Sequence, residues 1–128
     1  MKGIFVHDAP GEHYAWWIVC GYKTIETRKK NMLSALVGET VAIVKTETGK
    51  KPEIIGYAEI TRYEFCPVSL FEMYRPHTMI PHDSKYNRFG SRDGVPGKWF
   101  YYLNNARSCV PYLLPDDAVR HGRSWCEF

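Results

Sequence analysis

Strand-prone segments follow one another along this chain without a helix between each pair, and that order constrains the fold more than any other feature. The longest is Ile54 to Phe65 (IIGYAEITRYEF), in which Gly56 marks a bulge or a close approach of two backbones. GIFVH at 3–7, TIETR at 24–28, VAIVKT at 41–46 and WFYYL at 99–103 are also β-prone. Residues 110–114 and 124–128 are weaker strand segments. Helical patterns are few. Residues 12–20 place Tyr14, Trp17 and Ile18 at i, i+3, i+4, and Gly21 ends the run by its access to the left-handed conformation. Val68–Tyr74 suits a short helix capped by Ser69, and Asp116 and Asp117 suit one last helical turn. Strands and helices that do not alternate exclude a doubly wound parallel sheet. They predict an α+β domain, a small, mostly antiparallel β-barrel with flanking helices.

The 128 residues are enough for one core, so residues 1–128 are read as a single domain. The longest uninterrupted apolar stretch, Tyr14 to Cys20, has seven residues, too short for a membrane span or a signal peptide. No membrane association is expected, and a cytoplasmic location follows as the default. The four cysteines, at 20, 66, 109 and 126, form no CxxC pair, which excludes a zinc finger and predicts free thiols.

Net charge is +3, from 17 Lys and Arg against 14 Asp and Glu. Its distribution is uneven. Between 75 and 98 stand Arg75, Lys85, Arg88, Arg92 and Lys98 against Asp83 and Asp93, while the remainder of the chain is neutral. The same segment is rich in Gly and Pro and has no helix or strand periodicity, so it reads as a long basic loop at about 75–98. Tyr86 and Phe89 interleave with its cations, as a surface that pairs phosphates and stacks bases requires.

Directly after the first helix comes Gly21-Tyr22-Lys23-Thr24-Ile25-Glu26-Thr27-Arg28, or G-x-K-x-x-E-x-R. The glycine turns the chain out of the helix, and Lys23 stands near the helix C-terminus, where the macrodipole favours a cation. In a strand, Thr24, Glu26 and Arg28 share one face. A guanidinium held by a carboxylate is a pre-oriented fork for a phosphate or a base edge, and an ammonium beside it adds a point charge.

This octapeptide, with Ala15, Trp17 and Ile18 before it and a strand at Val41–Lys45 after it, resembles the ASCH domain of the PUA-like superfamily. The closing Gly122-Arg123-Ser124-Trp125-Cys126-Glu127-Phe128 is similar to that family's final glycine-then-tryptophan strand. Two features depart from the pattern: His13-Tyr14 stands where the family often has Pro-Trp, and the 75–98 segment is longer than the minimal domain. The resemblance implies a PUA-like barrel whose cleft is lined by Lys23, Glu26 and Arg28. It implies RNA or a nucleotide-like ligand as partner; the motif residues Lys23, Glu26 and Arg28 and the basic-loop cations Arg75, Lys85, Arg88, Arg92 and Lys98 together form the expected nucleic-acid-binding set.

An enzymatic role stays open beside binding. A branch of similar proteins hydrolyses N4-acetylcytidine with a threonine nucleophile, the motif lysine and a distal glutamate. Here Lys23 matches the lysine, but Glu26 occupies the threonine's position; Thr24 is the remaining nucleophile candidate, and Glu59, Glu64 or Glu72 could be the acid. A ribonuclease would use Glu26, Lys23 and Arg28 with His77 or His82. In either enzyme Lys23 and Glu26 are the catalytic candidates. A protein-interaction module is the third alternative, resting on an apolar patch. His77, His82 and Asp83 lack a fourth ligand, so no metal site is assigned, and no cofactor is expected. In WFYYL, Trp99 and Tyr101 face one way and Phe100 and Tyr102 the other; one pair is expected in the core and the other on a stacking surface.

Overall fold

A computed structural model describes all residues, 1–128. Two strands dominate it. β4 (Glu53–Pro67) and β6 (Val95–Leu113) run antiparallel, with Glu53 opposite Leu113 and Pro67 opposite Gly97. The segments at 99–103 and 110–114 are therefore parts of one strand. The polar stretch between them hides this in the sequence, yet backbone pairing needs only a neighbouring edge. Register shifts at Ile54/Gly56, Tyr57/Glu59 and Ile60/Arg62 bend the pair. Gly56 is the close-approach point expected: a Cβ there would lie 2.1 Å from the Arg107 carbonyl oxygen and 2.6 Å from Val19 Cγ1.

Six further strands complete the sheet: β1 (Lys2–His7), β2 (Ile25–Arg28), β3 (Thr40–Thr46), β5 (Gly90–Arg92), β7 (Val119–His121) and β8 (Trp125–Glu127). The order is β2-β6-β4-β3-β1-β8-β7, and β5 pairs with β6. The sheet is mixed, since β1 and β3 are parallel, Gly3 opposite Ala42. The chain between them supplies the crossover: α1 (Tyr14–Val19), β2 and a 3₁₀ turn at Ser34–Leu36. The ladder does not close, so the expected barrel is corrected to an open sheet. β1 and β2 share no pairing, and one side chain crosses between them: Arg28 Nη2 donates to the Phe5 carbonyl at 2.7 Å.

Alternation sorts β1 and β3 between two cores. Ile4, Val6, Val41 and Ile43 enter a cluster of 20 buried residues with α1, whereas Phe5, Ala42 and Val44 enter a cluster of six on the opposite face. Burial on both faces explains the unbroken apolar run of VAIV. Phe100 and Tyr101 are both fully buried, while Trp99 and Tyr102 are half-buried, so the aromatic run of β6 does not divide into a core pair and a surface pair.

The basic segment is not a plain loop. It opens with α3 (Arg75–Thr78), which ends on Met79 at φ 60°, and closes with the β5–β6 hairpin turned at Asp93 and Gly94. Ahead of it, α2 (Val68–Phe71) passes into a 3₁₀ turn at Glu72–Tyr74; Pro67 holds the N-cap position, and Ser69 lies inside the helix rather than capping it. Asp116 and Asp117 sit in a turn, not a helix. All four cysteines are free, and no helix is long and apolar enough to cross a membrane.

Candidate functional site

The exit of α1 places the motif. Gly21, at φ 83°, donates its N–H to the Ile18 carbonyl, and Tyr22 donates to that of Trp17, both at 2.9 Å. This paired closure satisfies the last carbonyls of the helix and turns the chain toward β2. Lys23 donates its own N–H to Trp17, but its side chain leaves the helix end and runs inward. It is 2% exposed, with Nζ 2.6 Å from the Thr78 carbonyl oxygen and 3.6 Å from Glu26 Oε1. The Tyr14 ring centroid lies 5.2 Å from the same nitrogen.

Glu26, 7% exposed, is held from three sides. Its Oε1 accepts the Thr27 N–H at 2.9 Å, its Oε2 accepts from Arg28 Nη2 at 3.2 Å, and the Lys23 ammonium stands beside it. Burial alone would raise its pKa. The charges of Lys23 and Arg28 and the Thr27 N–H outweigh burial and hold the carboxyl below the ordinary glutamate value. Burial in turn lowers Lys23, against the pull of Glu26.

Lys23, Glu26 and Arg28 converge on one cavity of about 670 Å³. It lies between β2 and the stretch of β1 beyond its pairing with β8. Phe5, Val6 and His7 form one wall and Glu26 to Lys29 the other. Tyr14 comes from α1, Ile80, Lys85 and Tyr86 from the basic segment, and Arg120, Gly122 and Arg123 from the β7–β8 hairpin. Six of the lining residues are Lys or Arg, and Glu26 is the single carboxylate. A cavity of this size falls within the range of small-molecule sites.

Of the five cations in the basic segment, Lys85 alone lines the cavity. Arg75 braces its own loop, donating to Glu72, to the Ile80 carbonyl at 2.6 Å and toward Asn87. Lys98 is buried beneath the segment, where it donates to Thr27 Oγ1 at 3.2 Å and to the Tyr86 carbonyl. Burial and the nearby Lys23 push it down to about 8. Arg92 lies over Trp99, 5.4 Å from the ring centroid, and Arg88 is exposed outside the cavity. Arg75, Arg88, Arg92 and Lys98 therefore do not line this cavity.

Lys23 and Glu26 meet in the cavity, but the other enzymatic candidates scatter. Thr24 precedes β2 and turns to His77, Oγ1 3.3 Å from Nδ1, outside the cavity lining. Glu72 pairs with Arg75 and His82, Glu64 accepts from Tyr102, and Glu59 lies in the β4 ladder, so none of the three reaches the cavity. His77 and His82 are likewise outside it, and no group of three His, Cys, Asp or Glu side chains is placed to hold a metal. Sequence reasoning missed His7, Lys29, Arg120 and Arg123. Lys29 adjoins the motif directly; the two arginines look like ordinary surface charge until the hairpin folds beside Phe5.

No family model matches the chain, and no curated protein matches it in sequence. Solved structures do match. An ASCH protein of Zymomonas mobilis superposes with a TM-score of 0.67 at 22% identity, over 88% of this chain and 73% of that one. A serine-to-alanine mutant of that protein gives 0.72 at 19% identity over 98% and 87%, and a tyrosine-to-phenylalanine mutant gives 0.65 at 23% over 89% and 77%. What is shared at this identity is the backbone plan: the chain has an ASCH-domain fold.

Proposed function

We propose that this domain binds single-stranded RNA, drawing one unpaired base into the cavity beside Glu26 while the adjoining backbone crosses the basic rim. The observation that carries this reading is the convergence of Lys23, Glu26 and Arg28 on a single hollow whose lining holds six cations and one carboxylate. Tyr14 and Tyr86 supply aromatic walls, packed edge to face with centroids 5.6 Å apart. Aromatic surface beside cations suits unpaired bases, which carry a π-face and a charged backbone together. Arg28 and Glu26 present a donor and an acceptor at the cavity wall, the complement of a base edge.

The test is binding of a labelled single-stranded oligonucleotide across a salt series. Counterion release predicts that log K falls with log salt by about 0.7 per phosphate contacted. Lys29→Ala and Lys85→Ala, which remove exposed cavity cations, should each flatten that slope by about the same amount. A slope unaltered by both changes, or no association at low ionic strength, rejects the reading.

A further inference from the structure

The cavity's cations divide into two groups. Lys23 and Arg28 pair with Glu26, so their charge is compensated within the protein. Lys29, Lys85, Arg120 and Arg123 make no ion pair; Lys30, Lys51, Arg88, Lys98 and Arg107 elsewhere are unpaired too, but only these four share one hollow. Four unpaired cations around one hollow repel one another and lower the potential energy of an anion placed among them.

Two of the four stand on a braced support. The β7–β8 hairpin pairs Arg120 with Cys126 and His121 with Trp125, and the last two rings stack at 3.8 Å. Gly122, at φ 62°, makes the turn, and the Ser124 carbonyl accepts the Phe5 N–H at 3.1 Å, tying the turn to β1. Arg120 lies over the Phe5 ring, 5.4 Å from its centroid. The hairpin backbone thus fixes where both arginines meet the cavity, and the Phe5 ring supports the Arg120 guanidinium, which reduces the ordering cost of binding.

We infer that the β7–β8 hairpin is a phosphate clamp, in which Arg120 and Arg123, with Lys29 and Lys85, hold a phosphomonoester attached to the nucleoside whose base fills the cavity. A phosphomonoester carries nearly two negative charges and three terminal oxygens at one point, whereas an internal phosphodiester carries one charge and two. Concentrated, uncompensated positive charge at a single hollow matches the former. The inference rests on the base-binding reading above, and it makes the ligand a nucleotide with a terminal phosphate, either free or at the end of an RNA strand.

The experiment uses the full chain and isothermal titration at low salt. Its ligands are cytidine and adenosine, their 5′-monophosphates, inorganic phosphate, and one trinucleotide made with a 5′-phosphate and with a 5′-hydroxyl. The monophosphates should bind at least tenfold tighter than the nucleosides. In Arg120→Gln/Arg123→Gln that advantage should fall below twofold, while Arg88→Ala, outside the cavity, should retain it. A matching preference for the 5′-phosphorylated trinucleotide assigns the clamp to an RNA end; its absence there, with the mononucleotide advantage intact, assigns it to free nucleotides. Equal affinity for nucleoside and monophosphate, with no preference between the two trinucleotides, overturns the clamp and leaves the base pocket standing. Inorganic phosphate binding as tightly as the monophosphates, or no binding by any nucleoside, nucleotide or trinucleotide, overturns the base-binding reading itself and the nucleotide assignment with it.

Discussion

Replacing Glu26 by glutamine keeps its shape and deletes its charge. The loss falls on two cations. Lys23 Nζ lies 3.6 Å from the carboxylate and is 2% exposed; Arg28 Nη2 lies at 3.2 Å. At an effective dielectric near 20, each attraction is worth about 5 kcal/mol before desolvation is subtracted. Desolvation of the carboxylate offsets part of this, and breaking a buried pair by removing one partner costs about 3–5 kcal/mol. That is a large share of a domain's total stability, and for a chain of this length it lowers Tm by about 11–19 °C. The check is a double-mutant cycle in urea with Lys23→Met, Glu26→Gln and the combination. Each single change should be costly, and the double should cost clearly less than their sum, because Lys23→Met removes the ammonium that Glu26→Gln strands. The pH dependence gives an independent reading. Glu26 titrates below the ordinary glutamate value in the folded state, so its contribution is complete above about pH 4.5 and is lost as pH falls through the depressed value. Glu26→Gln should remove that component of the acid transition. Additive changes under about 1 kcal/mol each, with an unaltered acid limb, would refute the view of Glu26 as the electrostatic centre of the cavity.

Arg28→Lys keeps a charge but loses the fork that reaches both Glu26 and the Phe5 carbonyl; a cost of about 1–3 kcal/mol is expected in chemical denaturation, with faster amide exchange along β1. Tyr101→Phe deletes a hydroxyl that accepts from the Met32 and Leu33 N–H groups and donates to Asn31, so about 1–3 kcal/mol should be lost, again by denaturation. Lys98 is pushed from 10.5 down to about 8, so between those values the unfolded state binds more protons and stability rises with pH, by up to roughly 3 kcal/mol. Melting curves from pH 7.5 to 10 should therefore be flatter in Lys98→Met than in the parent. Gly56→Ala places a Cβ 2.1 Å from the Arg107 carbonyl oxygen, forces the β4–β6 backbones apart, and should lower Tm by several degrees in a thermal melt.

What the sequence determined was local. Glycine at position 21, then alternation through Ile25 to Arg28, is enough to turn a helix into a strand and to set Glu26 and Arg28 on one face, because left-handed φ and the two-residue repeat are properties of the chain itself. The strands at 3–7, 41–46 and 54–65 were legible for the same reason, since burial on one or both faces leaves its mark in side-chain pattern. β5 and β7 were not, being three-residue strands made of exposed or half-buried residues. Nor was the middle of β6, where Asn104, Arg107 and Ser108 pair through backbone while their side chains are polar. Tertiary structure alone decided where charge acts. The sequence places all the excess cations between 75 and 98, yet Arg75 and Lys98 are consumed by local carbonyls and Arg88 and Arg92 lie outside the cavity. Only Lys85 of that segment reaches the rim; Lys29, Arg120 and Arg123 complete it from stretches that sum to neutrality. Net charge along a chain does not record folding in three dimensions; a cavity's potential depends on which side chains β1, the edge strand β2 and the hairpin beside Phe5 bring around one hollow.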